Sequence, residues 1–353
     1  MSNGLVERAR TLKPRLDAIK AELPRDFDWY PYDSLANVLH VEQLLRQAKL
    51  GLADLAGAGA TADIGCGDGD FAFLLESLGF CVHAIDYPPS NHNGMRGVYA
   101  LKPALRSAIE IHAVDIDGRF VLPADRYDVA FLMGVLYHLK NPFYALEALS
   151  KQVRYCFLST RVAAVAPGSN LPIHDLPIAY LLDDDELNED NSNFWILSEA
   201  GLRRLLRRTH WEVRAWFSAG TKSVTDPADR RAFCLARSHY AMAHLELLSG
   251  WHAPEEGGFR WTERRFSVRQ PPGTARFILD FFLPDARAIT LRACADGNRL
   301  EHQHYSRAGR HRYARTLPGA AARIDFELDR VLPPDDRDLR ERGIIVTSLE
   351  FEP

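Results

Sequence analysis

The stretch Ala62-Asp63-Ile64-Gly65-Cys66-Gly67-Asp68-Gly69-Asp70-Phe71 decides how the rest of the chain is read. Its start, ATADIG, reads as a strand, and FAFLLESLG behind it reads as a helix ending at Gly79. Glycines at such a junction let the backbone turn sharply and approach a ligand closely, and the helix start supplies N–H groups without partners. A dinucleotide fingerprint would run G-x-G-x-x-G. This loop runs Gly65-x-Gly67-x-Gly69, with Asp70 in the last glycine's place. Asp63 stands before the glycines and Asp68 among them. Carboxylates there repel a pyrophosphate and suit a ligand carrying a cation, an ammonium or a sulfonium.

Outward from the loop the pattern keeps alternating. FCVHAID, IEIHAVDI, YDVAFLMG and RYCFLSTRV read as four more strands, and SEAGLRRLLRRTH as a helix opened by Ser198 and Glu199. WEVRAWFS and RAFCLARS read as two strands joined by the turn-rich AGTKSVTDPADR, which predicts an antiparallel last strand at the edge of the sheet. Alternating strands and helices mean a parallel sheet with helices on both faces, a Rossmann-like α/β fold. Upstream, residues 1–22 and roughly 34–49 read as helices, the second carrying Leu35, Val38, Leu39, Val41, Leu44 and Leu45 at helical spacing. The aromatic, proline-broken Phe27–Asp33 between them is a loop. Downstream, SGWHAPEEGG has the composition of a linker. After it come only short alternating runs, which predict a small all-β unit, a sandwich. The expected division is 1–50 as N-terminal helices capping the site, 51–248 as the α/β domain with a lid insertion at 163–197, 249–258 as linker, and 259–353 as β-sandwich.

Composition narrows the function. The chain has 353 residues, 46% hydrophobic and 25% charged, with a net charge of −4. No global positive field draws it to nucleic acid or anionic lipid. Five scattered cysteines argue against a disulfide framework and a structural zinc site. No metal is expected: His174 and Asp175 lack partners at ligand spacing, and His302 and His304 read as surface. The charged N-terminus has no apolar core and no stretch approaches the length of a membrane span, so a cytoplasmic protein is expected. The last 95 residues hold 17 Arg and 14 acids, and Arg307, Arg310, Arg312, Arg315 and Arg323 fall where no acid occurs. That pattern reads as a solvated strand face ahead of an anion- or glycan-facing surface.

The acids continue at the strand ends. Asp86 closes the second strand, 23 residues after Asp63, where a carboxylate can accept both hydroxyls of a ribose. Asp115 closes the third, where a carboxylate and the next N–H, that of Ile116, can read an adenine edge. A glycine loop and two acids at successive strand ends describe a nucleoside site at a switch point of the sheet.

With these motifs, the stretch from about Thr61 to Ser238 resembles the class I S-adenosylmethionine-dependent methyltransferases. The resemblance implies that S-adenosyl-L-methionine is the cofactor and S-adenosyl-L-homocysteine its product. It implies Gly65, Cys66, Gly67 and Gly69 at the methionine part, Asp86 at the ribose, and Asp115 and Ile116 at the adenine, with Asp63 and Tyr87 also binding the cofactor. Methyl transfer is an in-line displacement, so the protein aligns the acceptor and removes a proton where needed. In this fold the groups nearest the methyl lie at the end of the fourth strand, here Met133-Gly134-Val135-Leu136-Tyr137-His138 followed by Pro142. That run is similar to the tRNA wobble-uridine carboxymethyltransferases, which use a carboxylated S-adenosylmethionine and an active-site tyrosine that maps to Tyr137. His138 is a candidate general base. The amino-terminal half lacks the long basic extension expected of a tRNA binder, and the β-unit has no place in that family. The ending Asp335-Asp336-Arg337-Asp338-Leu339 with Gly343-Ile344-Ile345-Val346 resembles β-sandwich ends attached to bacterial glycan-assembly enzymes.

Specificity is expected from two walls. One is the lid, with His174, Asn191, Asn193 and Trp195 as candidate substrate contacts; its acid run Asp183–Glu186 reads as a solvated helix start. The other is the aromatic loop, with Tyr30 toward the substrate and Tyr32 over the cofactor as a cation–π contact. The expected activity is methyl transfer to oxygen or nitrogen of a small-molecule or sugar acceptor. Transfer to tRNA wobble uridine ranks second, and a non-catalytic cofactor-binding assembly protein third. Nucleic acid ranks behind small molecules as a partner, and the β-unit is the candidate surface for self-association.

Overall fold

The computed structural model describes residues 3–352 apart from 56–58, 167–170, 185, 188–189 and 221–229. The chain divides into two units, Met1–Ser238 and His239–Pro353. No described helix is long and apolar enough to cross a membrane.

In the first unit, helices α1 (Asn3–Glu22), α2 (Val38–Ala48) and α3 (Leu52–Leu55) precede strand β1 (Ala60–Ile64). Then follow α4 (Asp70–Ser77), β2 (Val82–Asp86), α5 (Arg96–Leu105), β3 (Glu110–Ala113), β4 (Tyr127–Met133), α6 (Pro142–Gln152) and β5 (Val153–Ala163). A short pair, β6 (Ala179–Leu181) and β7 (Trp195–Ser198), leads to α7 (Glu199–Arg208) and the hairpin β8 (Trp211–Ala219) and β9 (Arg231–Ser238). The main sheet runs β3-β2-β1-β4-β5-β9-β8, parallel except for β9. Chain direction across the sheet reverses between β1 and β4, so the glycine loop after β1 opens at the switch point.

The central strands are apolar on both faces because both faces are covered. Every residue of β1 is buried, and β4 is buried up to Met133. On one face pack α1, α2, α4 and α5, through residues such as Leu16, Val41, Leu44, Leu74 and Val98. On the other pack α6 and α7, through Leu146, Leu149, Leu202 and Leu206. Phe131 and Phe157 stack at 4.9 Å across β4 and β5; truncating either to Ala would cost about 3–5 kcal/mol. Pro142 opens α6, where its missing N–H is harmless. The Ser198 hydroxyl caps α7 by accepting from the Gly201 N–H, whereas Glu199 pairs with Arg230.

Two details differ from the sequence reading. The third strand ends at Ala113, because Asp115 accepts the Asp117 N–H and starts a turn. The last strand is not the edge: β9 is apolar and almost wholly buried, so it takes the interior place beside β5, and the more exposed β8 takes the edge. Most of the connecting turn, 221–229, lies outside the described residues, as does Asp185 of the acid run.

The second unit is antiparallel throughout. Its strands are β10 (Leu247–Trp251), β11 (Arg260–Val268), β12 (Arg276–Leu283), β13 (Ile289–Ala295), β14 (Asn298–Arg299), β15 (Gln303–Tyr305), β16 (Gly309–Thr316), β17 (Ile324–Leu328) and β18 (Ile345–Glu352). The far end of β11 joins β17 and β13, and its near end joins β18, β12 and β16. One strand thus passes between two layers that enclose Phe266, Phe277, Phe281, Tyr313 and Phe326. The stretch read as a linker begins inside β10. Gly250, at φ +74°, lets that bulged strand pass so close to Arg265 that a Cβ would lie 1.9 Å from its carbonyl oxygen, and the same glycine gives the segment its linker composition. The arginine run is largely answered locally: Arg312 pairs with Asp280, Arg323 with Asp325, and Arg315 lies over Tyr313.

Candidate active site

The loop Gly65–Gly69 is a tight left-handed turn. Gly65, Gly67 and Gly69 have φ of +75°, +58° and +84°, values that cost an L-residue. Close approach adds a second reason for glycine. A Cβ on Gly65 would lie 2.4 Å from Val135 Cγ2, and one on Gly67 would lie 3.3 Å from the Tyr30 ring. The aromatic loop therefore lies directly over the glycine turn. Cys66 is buried with its thiol held high by burial, and its carbonyl accepts the Gly69 N–H.

The acids around the loop separate into different tasks. Asp68 is used up internally: it accepts from Lys20 Nζ at 3.2 Å, the Tyr30 N–H at 2.8 Å and Asn93 Nδ2 at 2.8 Å. Lys20 also reaches Asp70 at 2.8 Å, so α1 and the aromatic loop are latched onto the turn. The expectation that Asp68 faces a ligand cation is replaced by this latch. Asp63 is the opposite case. It is buried, its Oδ2 has no hydrogen-bond partner among the described residues, and burial beside Asp86 pushes its carboxyl up to about 7. A buried carboxylate oxygen left without a donor beside a glycine cradle fits the ammonium of an amino-acid ligand.

Asp86 accepts the Gly67 N–H at 2.9 Å and Asn91 Nδ2 at 2.8 Å on one oxygen, and the Tyr87 N–H at 2.8 Å on the other. Burial nevertheless raises its carboxyl. Tyr87 itself is partly exposed. Asp115 and the buried Ile116 follow β3 in a turn tied to the start of α6, since Asp117 accepts the N–H groups of Lys140 and Asn141.

At the end of β4, Met133 pairs with Ser159, and the Gly134 N–H donates to the Ser159 carbonyl. The Tyr137 ring has the Arg161 guanidinium at 5.7 Å and that of Arg231 at 5.6 Å. Its hydroxyl makes no hydrogen bond among the described residues, and a Cβ on Gly134 would lie 3.9 Å from it. Tyr30 is pushed up to about 12 by burial, with Tyr137, Tyr32 and Asp86 adding to it and Arg231 opposing; it stands between the two ends of the site. His138 has its Nδ1 at 3.0 Å from both the carbonyl and the hydroxyl of Ser192, and Ser192 Oγ donates to Asp190 at 2.6 Å. A ring donating through Nδ1 leaves Nε2 as the basic nitrogen. Burial lowers the His138 pKa and Asp190 opposes that, so the imidazole is neutral near pH 7.

Of the remaining candidates, Tyr32 is 70% exposed and meets Tyr30 edge-on at 5.5 Å. Asn193 points inward, donating to the carbonyls of Leu187 and Asp190, which makes it the tie of the lid turn. Asn191 is exposed, and His174 is half exposed beside Asp175, at 3.0 Å. Trp195 donates to the Lys140 carbonyl at 3.3 Å. The lid does reach the site through its backbone, because the Phe194 N–H donates to the Tyr137 carbonyl. Sequence reasoning missed Arg161, Arg231, Ser192, Asp190, Asn91 and Lys20. They come from the N-terminal helix, the turn after β2, β5, the lid and β9, and none carries a motif.

Several solved structures are similar to parts of this chain at low identity. The N-terminal domain of EvdMO1 with SAH bound is 13% identical, covering 64% of this chain and 96% of that one, with a TM-score of 0.42. Full-length EvdMO1 is 11% identical over 91% of this chain and 98% of that one, also at 0.42. Magnesium protoporphyrin IX methyltransferase (ChlM) from Synechocystis PCC 6803, with bound SAH, is 15% identical over 65% and 94%, at 0.38. No curated protein matches the sequence. The family described as methyltransferase domain matches residues 39–215, half of the chain, from α2 through the glycine loop and the β4 motif into β8. The chain belongs to the methyltransferase domain family.

Proposed function

We propose that the chain transfers the methyl group of S-adenosylmethionine to an oxygen or nitrogen of a small-molecule or sugar-linked acceptor. The observation that carries this reading is Asp63: a buried carboxylate oxygen without a partner, beside a three-glycine turn, at the switch point of the sheet. In this reading Asp63 and the backbone of Gly65–Gly69 hold the amino-acid end of the cofactor, Asp86 the ribose, and Asp115 with the Ile116 N–H the adenine. Tyr30 covers the turn as an aromatic wall beside the sulfonium. S-adenosylmethionine supplies an electrophilic methyl group and leaves as S-adenosylhomocysteine. Tyr137 positions the acceptor through its uncommitted hydroxyl. His138, held through Nδ1 by Ser192 and Asp190, takes the acceptor's proton on Nε2.

The two guanidiniums beside Tyr137 favour a negative charge near the transferring group. An acidic acceptor supplies it. So does a carboxylated donor, which is the form the tRNA wobble-uridine alternative requires. Native mass spectrometry of the purified full chain tests both. Bound S-adenosylmethionine or S-adenosylhomocysteine supports the methyl donor and directs the acceptor search to acidic metabolites and sugars. A carboxylated donor moves the tRNA reading ahead, and salt-sensitive tRNA binding must then follow. A bound dinucleotide overturns the reading of the glycine turn.

A further inference from the structure

Three ligand-type side chains that the proposed reaction does not use meet at the β3 edge of the main sheet. His83 on β2 and Glu110 on β3 are paired across the parallel ladder, and His112 lies two residues further along β3, opposite Ile85. The period of two puts all three on one face. His83 Nε2 lies 3.8 Å, and His112 Nε2 3.3 Å, from the same oxygen, Glu110 Oε2. One ligand atom from each residue lies within 4.8 Å of those of the other two. The rings are 4.7 Å apart and tilted by 44°.

His112 Nε2 is buried and, among the described residues, makes no hydrogen bond despite its 3.3 Å approach to Glu110 Oε2. The ligand atoms of the three side chains thus face one another at the sheet edge. Nitrogen and oxygen ligands at about 2.0–2.1 Å from a tetrahedral zinc stand about 3.3 Å apart, so small side-chain rotations close the set. The outer support that metal-binding histidines use is also present. His83 Nδ1 lies 2.8 Å from the buried Tyr127 hydroxyl, which also accepts the Ala124 N–H. A His83 ring that donates to this oxygen presents its Nε2 lone pair toward Glu110.

We propose that His83, Glu110 and His112 bind one divalent transition-metal ion, zinc by the chemistry of two imidazoles and a carboxylate, with solvent completing the coordination. The ion staples β3, a four-residue edge strand with little burial of its own, to β2. Asp115 lies in the turn that follows β3, so the staple supports the adenine side of the proposed cofactor site without touching it.

The test uses the full chain without an affinity tag, stripped by chelator and titrated with Zn2+ calorimetrically and with Co2+ by visible absorption. One equivalent should bind the wild type at micromolar or lower Kd, and Zn2+ should raise its thermal midpoint. Glu110→Gln and His112→Gln should each weaken zinc by tenfold or more and abolish the midpoint shift, while unfolding like the wild type when metal is absent. Glu110 is 61% exposed at its side chain, so its variant does not threaten the fold. Unchanged zinc affinity and stoichiometry in both variants would overturn the assignment. So would a wild type that binds no zinc at tens of micromolar.

Discussion

The two halves of the proposed site are built in contrasting ways. The donor half, from Asp63 to Asp86, comes from one strand–turn–helix–strand unit and is held by its own backbone: Gly67 donates to Asp86, and Gly65 to the Ile85 carbonyl. The acceptor half gathers around Tyr137 and His138 from distant segments, with Arg161 from β5, Ser192 and Asp190 from the lid, Arg231 from β9 and Tyr30 from the N-terminal loop. A half written contiguously keeps its geometry whatever surrounds it. A half assembled from separate elements can change its acceptor by changing any of them, which is how one fold comes to serve many substrates.

The contrast predicts separable effects. The largest belongs to His138→Ala, which should lower kcat by roughly 10²–10⁴-fold, the ordinary contribution of a general base. Steady-state kinetics beside calorimetric donor titration checks it, and donor affinity should stay within about twofold. An equal loss of donor affinity would mean the halves are one unit.

Next comes Gly65→Ala, which combines a left-handed backbone with a Cβ 2.4 Å from Val135 Cγ2. It should destabilise the fold by about 2–4 kcal/mol in denaturant titrations. Adding Val135→Ala should restore the steric part and leave the backbone part. Full restoration would show that the left-handed conformation costs nothing there.

Asp86→Ala should weaken donor binding about 10–100-fold, the loss of a charged acceptor, with kcat at saturating donor little changed. Wild-type affinity in this variant would move the ribose away from β2.

The smallest effect is a pH slope. With the Asp63 carboxyl raised to about 7, donor affinity should rise as pH goes from 6 to 8, by up to about tenfold, because the ammonium needs the ionised form. Stability without donor should run the other way. The folded carboxyl keeps a proton that the unfolded one gives up near the usual carboxylate value, so stability falls as pH rises between that value and about 7. Asp63→Asn should flatten both slopes.

The donor half was legible because its chemistry is local: glycine spacing, an acid before the turn and an acid at the next strand end are short-range facts of the chain. The β4 motif gave Tyr137 and His138 but not what they touch. Asn193 illustrates the limit. An amide beside two aromatics in a lid reads as a substrate contact, yet the lid folds on a small core of Ala163, Ile173, Leu182, Leu187 and Ile196 that turns the amide inward to its own carbonyls. Asp68 illustrates it too, since Lys20 and Asn93 reach it from elements on either side of it in the chain.

The α/β core, the all-β second unit and the glycine turn were readable along the chain, because apolar periodicity and glycine placement depend on near neighbours. Packing between distant segments settled which acid is latched and which keeps one oxygen without a partner among the described residues, which strand takes the sheet edge, and which side chains stand around Tyr137. It also brought His83, Glu110 and His112 together. Those outcomes depend on burial and on contacts between segments far apart in the chain, and no local pattern of residues records them.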